Sequence, residues 1–178
     1  MGNSYTNCTV VTTDQATVLA KLRKWKRQAY IAAAAAGIVI FDKDEDVELG
    51  RPLSKALSCP ALVVLDHDDD VLYYWLYENG KLTDDYCSNP DFDEDYPAEQ
   101  GPGDPAKLCR AFGNPKAERK VKTALRSQRS GYVFAVHRHL ALVKALGLPE
   151  CAVAMGYRYI AAGDMPCGLT RADLTQLP

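Results

Sequence analysis

Residues Val71–Tyr77 read VLYYWLY. In an extended strand, Val71, Tyr73, Trp75 and Tyr77 point to one face and Leu72, Tyr74 and Leu76 to the other, so neither face is polar enough to meet water. A sheet containing this strand needs a covering layer on both sides. The 178-residue chain is long enough to supply them, since a domain of this size buries roughly 70% of the surface its unfolded chain exposes. With 47% hydrophobic and 25% charged residues, the composition argues against disorder, fibres and a membrane span.

Tyr5 to Thr12 reads as the first strand, and Thr13 or Asp14 is placed to cap a helix carrying Val18, Leu19 and Leu22 and ending among Lys24, Lys26 and Arg27. A hairpin of Ala29–Ala33 and Ile38–Asp42 about Gly37 follows, with continuation of the first helix to Gly37 as the competing reading of the alanines. Leu49, Leu53, Ala56 and Leu57 mark a second helix. Ala61–Asp66, Val71–Tyr77 and Leu82–Cys87 mark three strands, the last two joined by an Asn79-Gly80 turn. The order is βαββαβ plus an extra hairpin, so the expected fold class is α+β: an N-terminal ferredoxin-like sheet packed with a C-terminal helical segment. That order is shared by many functions and implies none.

Residues 1–88 are expected to form an α/β sheet subdomain, 89–104 an acidic loop or linker, and 105–178 a helical subdomain packed on the first as one unit. Asp104-Pro105 and Asn114-Pro115 are N-cap signatures opening helices over 105–112 and 115–127. Tyr132–Leu146 carries an apolar stripe of Val133, Val136, Leu140 and Val143 and stops at Gly147. Tyr157–Ala161 reads as irregular or a short strand.

The halves of the chain carry opposite charge. Residues 1–103 hold nine Lys and Arg against eighteen Asp and Glu, and residues 104–178 hold twelve against five. Either the acidic half docks on the basic half, or Lys107, Arg110, Lys116, Arg119, Lys120, Lys122, Arg126 and Arg129 form a face for nucleic acid or another polyanion. The overall pI of about 5.9 argues against nucleic acid. The second basic cluster, Lys21–Arg27, reads as a solvated helix face with Trp25 as its anchor.

Six cysteines, no two closer than 16 positions, leave no zinc-ribbon or C-x-x-C spacing. The stretch MGNSYTNC lacks the basic and apolar regions of a signal peptide, so free thiols and a cytoplasmic, bacterial-type protein are expected. The myristoylation pattern through Gly2 and Thr6 and the sequon Asn7-Cys8-Thr9 are treated as chance matches. Gly101-Pro-Gly103-Asp-Pro-Ala106 fits G-x-G-x-x-A, but it follows an acidic loop and carries Asp104 where a pyrophosphate would sit.

No serine elbow, P-loop or H-E-x-x-H pattern is present. His137 and His139 lie about 200° apart on a helix and cannot share an ion, while His67 lies in an acidic turn. A cysteine nucleophile would need Cys109 or Cys151 brought to His137 or His139. Three readings remain. The first is a non-enzymatic interaction or regulatory protein, without cofactor or membrane association, that binds a protein partner through Tyr73, Trp75, Tyr86, Phe92 and Tyr96, where aromatics supply contact energy and nearby acid supplies steering. The second is an enzyme of phosphoester chemistry using Mg²⁺ or Ca²⁺ held by Asp42, Asp66, Asp68 and Asp70; the acidic runs are not EF-hands, because Val47 or Val71 replaces the required glycine. The third is polyanion binding through the basic helices.

Overall fold

The computed structural model describes residues 2–92, 100–126 and 134–178. Seven strands form one sheet: β1 Tyr5–Val10, β2 Ala29–Ala34, β3 Gly37–Asp42, β4 Ala61–His67, β5 Val71–Glu78, β6 Lys81–Cys87 and β7 Leu174–Leu177. Their spatial order is β6-β5-β4-β1-β3-β2-β7, with every neighbouring pair antiparallel. The described helices are α1 Gln15–Lys24, α2 Gly50–Leu57, α3 Pro105–Ala111, α4 Glu118–Arg126, α5 Ala135–Leu146 and α6 Tyr157–Ala162. The architecture is therefore mixed α+β, and its seven-strand order is not the usual sheet of the ferredoxin-like fold.

Both faces of the sheet are covered, as VLYYWLY demands. On one side Val18 and Leu22 of α1 and Leu49 and Leu53 around α2 pack on Val10, Ile31, Ile38, Ile40, Val63, Trp75 and Tyr77. Close approach here requires Gly50, because a Cβ at that position would lie 2.4 Å from the Tyr77 ring. On the other side α3, α4 and α5 bring Leu108, Val121, Leu125, Leu142 and Val143 onto Leu62, Val64, Leu72, Tyr74, Leu76 and Tyr86. A third cluster sets Ala152, Met155 and Ile160 against Tyr30, Val39 and Phe41. The apolar clusters thus draw on both the acidic and the basic stretches of sequence.

Local chemistry sets the element ends. Asp14 accepts from Thr17 N at 3.0 Å and starts α1, and Lys26, at φ 57°, turns the chain out before the alanines. Those alanines are strand, because residues 29–34 pair in full register with 42–37. Asn79 and Gly80 take φ of 51° and 79° in the β5–β6 turn. The C-terminal end departs from the sequence reading. Tyr157–Ala161, read as irregular or a short strand, lies in helix α6, which ends at left-handed Gly163 and buries Ile160 in the third cluster. Leu174–Leu177 is a strand, because the free edge of β2 offers unpaired backbone groups that Leu174 to Leu177 satisfy. Among the described residues no helix is long and apolar enough to cross a membrane.

Candidate functional site

The end of the sheet where β3, β4 and β6 finish and β1 and β5 begin gathers the least ordinary chemistry. Tyr5 and Asp66 are direct cross-strand partners, so their side chains share a face. Helix α5 adds His139 to that face. The Tyr5 hydroxyl lies 2.8 Å from His139 Nδ1 and the two rings stack at 5.8 Å. All three are buried: Tyr5 and Asp66 are 0% exposed and His139 is 2%. Burial keeps the imidazole neutral, with its pKa pushed down to about 3. A neutral His139 that accepts at Nδ1 makes Tyr5 the donor.

Asp66 Oδ1 accepts from Asp69 N at 3.0 Å, whereas Asp66 Oδ2 and Asp69 Oδ1 are both sealed from solvent without a hydrogen bond. Burial first, then repulsion from Asp69, pushes the Asp66 pKa up to about 7. A protonated Asp66 next to Tyr5 removes the worst part of that conflict, because a neutral carboxyl is far cheaper to bury than a carboxylate.

The β4–β5 turn is held by the start of the chain. Asp68 and Asp69 take φ of 54° and 63°, a conformation Asp tolerates better than most residues. Asp68 Oδ1 accepts from Gly2 N at 2.9 Å, Asp69 Oδ2 from Asn3 N at 3.1 Å, and Ser4 Oγ from Asp68 N at 2.9 Å. The Asp69 carbonyl accepts from Ala135 N at 2.7 Å, at the start of α5, where an acidic turn suits the positive end of the helix.

The four carboxylates considered for a metal do not converge. Asp42 follows Ile38 and Ile40 in phase, on the face covered by α1 and α2, whereas Asp66 follows Leu62 and Val64 on the opposite face. Asp42 is bound by Arg27 at 3.2 Å, and the same guanidinium reaches Asp44 at 3.4 Å and Asp46 at 2.5 Å. Asp68 is engaged by Gly2, and Asp70 is exposed. Among the described residues no three His, Cys, Asp or Glu side chains are arranged to hold an ion. Mg²⁺ and Ca²⁺ need several oxygens around one point, and these residues do not surround one.

The aromatic set is likewise split. Tyr73 and Trp75 stack at 6.0 Å on the α1/α2 face. Tyr86 faces the other way, stacked 5.3 Å from Tyr74 and donating to the Leu125 carbonyl at 2.7 Å. Tyr86 is 2% exposed and therefore corrected from contact residue to core residue. Phe92 is 41% exposed and meets His67 edge-on at 6.0 Å. Tyr96 lies outside the described residues. Asp68, Asp70 and Asp91 are exposed at the same end of the sheet as Phe92 and His67.

Cys109 and Cys151 are buried in two different apolar clusters, and burial pushes both thiols up, Cys151 to about 11. His139 faces Tyr5 rather than a sulfur. The glycines of the G-x-G-x-x-A match serve the fold: Gly101 N donates to Asp85 at 2.8 Å, and Gly103 sits where a Cβ would lie 2.4 Å from the Tyr74 hydroxyl. Asn7 is 2% exposed and donates to the carbonyls of Ala152 and Met155 at 2.7 and 2.9 Å, out of reach of glycosylation in the folded chain.

On the helical side, Arg110, Lys116, Arg119, Lys120, Lys122 and Arg126 are exposed. Lys107 instead turns inward to the Thr83 carbonyl at 3.0 Å. The Tyr5–His139 pairing had no local signal in the sequence, since its partners stand 134 positions apart. Compared with family models, curated proteins and solved structures, the chain matches none.

Proposed function

We propose that the chain is a non-catalytic binding protein that engages a basic protein partner at the acidic end of its sheet. The observation that carries this reading is Phe92, 41% exposed and braced against His67, beside the exposed carboxylates of Asp68, Asp70 and Asp91. An exposed aromatic supplies contact energy at low entropic cost, and a ring of like charge steers an oppositely charged partner and rejects others. The hydrogen bonds from Gly2 and Asn3 hold the turn in one shape, which lowers the ordering cost of association. Six unpaired thiols support a reducing, cytoplasmic setting. We also propose that β1-α1-β2-β3-α2-β4 is a ferredoxin-like unit extended at both edges; its strands neighbour one another as β4-β1-β3-β2, with both helices on one face.

The test is cross-linked capture from source-cell lysate by three forms of the chain: the parent, Asp68→Lys/Asp70→Lys/Phe92→Ala, and Lys120→Glu/Lys122→Glu. Capture of a discrete protein by the parent and the helix variant, with at least tenfold loss in the rim variant, is expected. Loss in the helix variant with retention in the rim variant contradicts the proposal, as does capture of no discrete protein.

A further inference from the structure

We propose that the groove between α4 and α5 is a binding site for a phosphate-bearing small molecule of nucleotide size, separate from the acidic end of the sheet. The groove has a volume of about 490 Å³ and is lined by Arg119, Lys120 and Thr123 of α4 and by Ala141, Lys144 and Ala145 of α5. Helical spacing explains the lining. Arg119 and Thr123 are four apart and Lys120 and Thr123 three apart, flanking the buried stripe of Val121, Ala124 and Leu125. Ala141 and Ala145 recur one turn apart on α5, and their small side chains leave the space open.

The walls divide the ligand's chemistry. Ala141 and Ala145 offer an apolar patch, and three cations converge on the remainder. Volumes of about 300–1,000 Å³ with few convergent polar groups are typical of small-molecule sites. Arg119 supplies a planar fork and Lys120 and Lys144 supply point charges, the combination that recognises phosphate oxygens.

Helix α4 carries like charge that Glu118 relieves only in part. Lys122 and Arg126 stand at i,i+4 and Arg119 and Lys122 at i,i+3, each a repulsive spacing, while Glu118 to Lys122 is the favourable one. Among the described residues Lys144 pairs only with Glu150, at 3.7 Å with both side chains more than half exposed, and neither Arg119 nor Lys120 has an acidic partner. A bound phosphate offsets the positive charge that Arg119, Lys120 and Lys144 bring together at the groove. Thr123 Oγ1 spends its one proton on the Arg119 carbonyl at 3.0 Å, so in the groove it can accept only from an N–H or O–H of the ligand and leaves the phosphate to the three cations. Asn114 Nδ2 binds the Ala145 carbonyl at 2.8 Å and ties the α3–α4 connection to the far wall.

The experiment is an amide-resolved NMR titration of the full chain with inorganic pyrophosphate, with ATP and with a single-stranded DNA oligonucleotide at about 0.15 M salt. Saturable shifts centred on residues 119–123 and 141–145, with an ATP dissociation constant of about 1 mM or tighter, are expected. Ala141→Leu, which fills the groove and leaves every charge in place, should weaken ATP binding at least tenfold, as should Arg119→Gln/Lys144→Gln. Lys122→Gln/Arg126→Gln, outside the groove, should leave it within twofold. No shift with any probe, equal loss in the Lys122/Arg126 variant, or DNA binding that spreads along α3 and α4 and falls steeply with salt would each overturn the proposal. Thermal melts of each variant establish that it is folded.

Discussion

At the scale of single residues, Asp66 and His139 impose opposite pH dependences. Asp66 has a folded pKa of about 7 against about 3.9 unfolded, so the folded state holds the extra proton between these values. Its contribution is fully present below about pH 4 and is lost as pH rises to about 7, an effect of order 3–4 kcal/mol. His139 has a folded pKa of about 3 against about 6.5 unfolded. Below pH 6.5 the unfolded state binds the extra proton, so stability falls as pH drops from about 6.5 to 3. Between about pH 4 and 6.5 the two slopes oppose, and the parent should show a nearly flat profile from these groups. Asp66→Asn should be more stable than the parent by about 2 kcal/mol at pH 8 and should gain stability as pH rises from 4.5 to 6.5. His139→Gln should show the reverse slope. Urea midpoints across that range check both, and an Asp66→Asn profile superimposable on the parent's would contradict the assignment.

At the scale of elements, α2 and α5 depend on glycine for different reasons. Gly147 ends α5 at φ 73°, with no atom within 4 Å of the point a methyl group would occupy, so Gly147→Ala meets only the left-handed backbone penalty of about 1–2 kcal/mol. Gly50→Ala drives a methyl to within 2.4 Å of the Tyr77 ring and should cost about 1–3 kcal/mol through overpacking. Thermal melts should find Gly147→Asn close to the parent and Gly50→Asn worse than Gly50→Ala. Such end signals are the legible part of the fold. Asp14, the Asn79-Gly80 pair and Gly147 act through their own backbone geometry, and each is readable without knowing the rest of the chain. Tyr157–Ala162 was not read as helix, because its aromatic and β-branched residues favour strand, although Gly163 marks its end and Ile160 is buried in the third cluster. Strand β7 is four residues long and is defined by the edge it joins. At the candidate site, the phase of each strand was visible, but which face of β3 matches which face of β4 is a matter of register. That is why Asp42 and Asp66 looked convergent and are not, and why Tyr86 looked like a contact residue and is core.

At the scale of the whole molecule, the described residues of the two halves meet mainly through apolar contacts. The ion pair joining them among the described residues is Arg158 to Glu45, at 2.8 Å with Arg158 67% exposed, and exposed pairs contribute about 0–1 kcal/mol. The apolar clusters do the joining: Leu62, Val64, Leu72 and Leu76 are covered by α3, α4 and α5. Residues 1–103 alone would expose that face and lose β7, so they should aggregate or melt without cooperativity, while raising salt to about 0.5 M should shift the melting temperature of the full chain by less than about 3 °C. A fragment that melts cooperatively, or a large salt-induced loss of stability, would return the charge to a structural role.

We propose that the exposed acid at the sheet end, and not the exposed base on α4, meets the protein partner. Hydrogen exchange on the captured complex tests this most directly. Protection confined to residues 67–70 and 88–92 is the predicted footprint, and protection over 116–126 and 141–145 with the sheet end unchanged would contradict it.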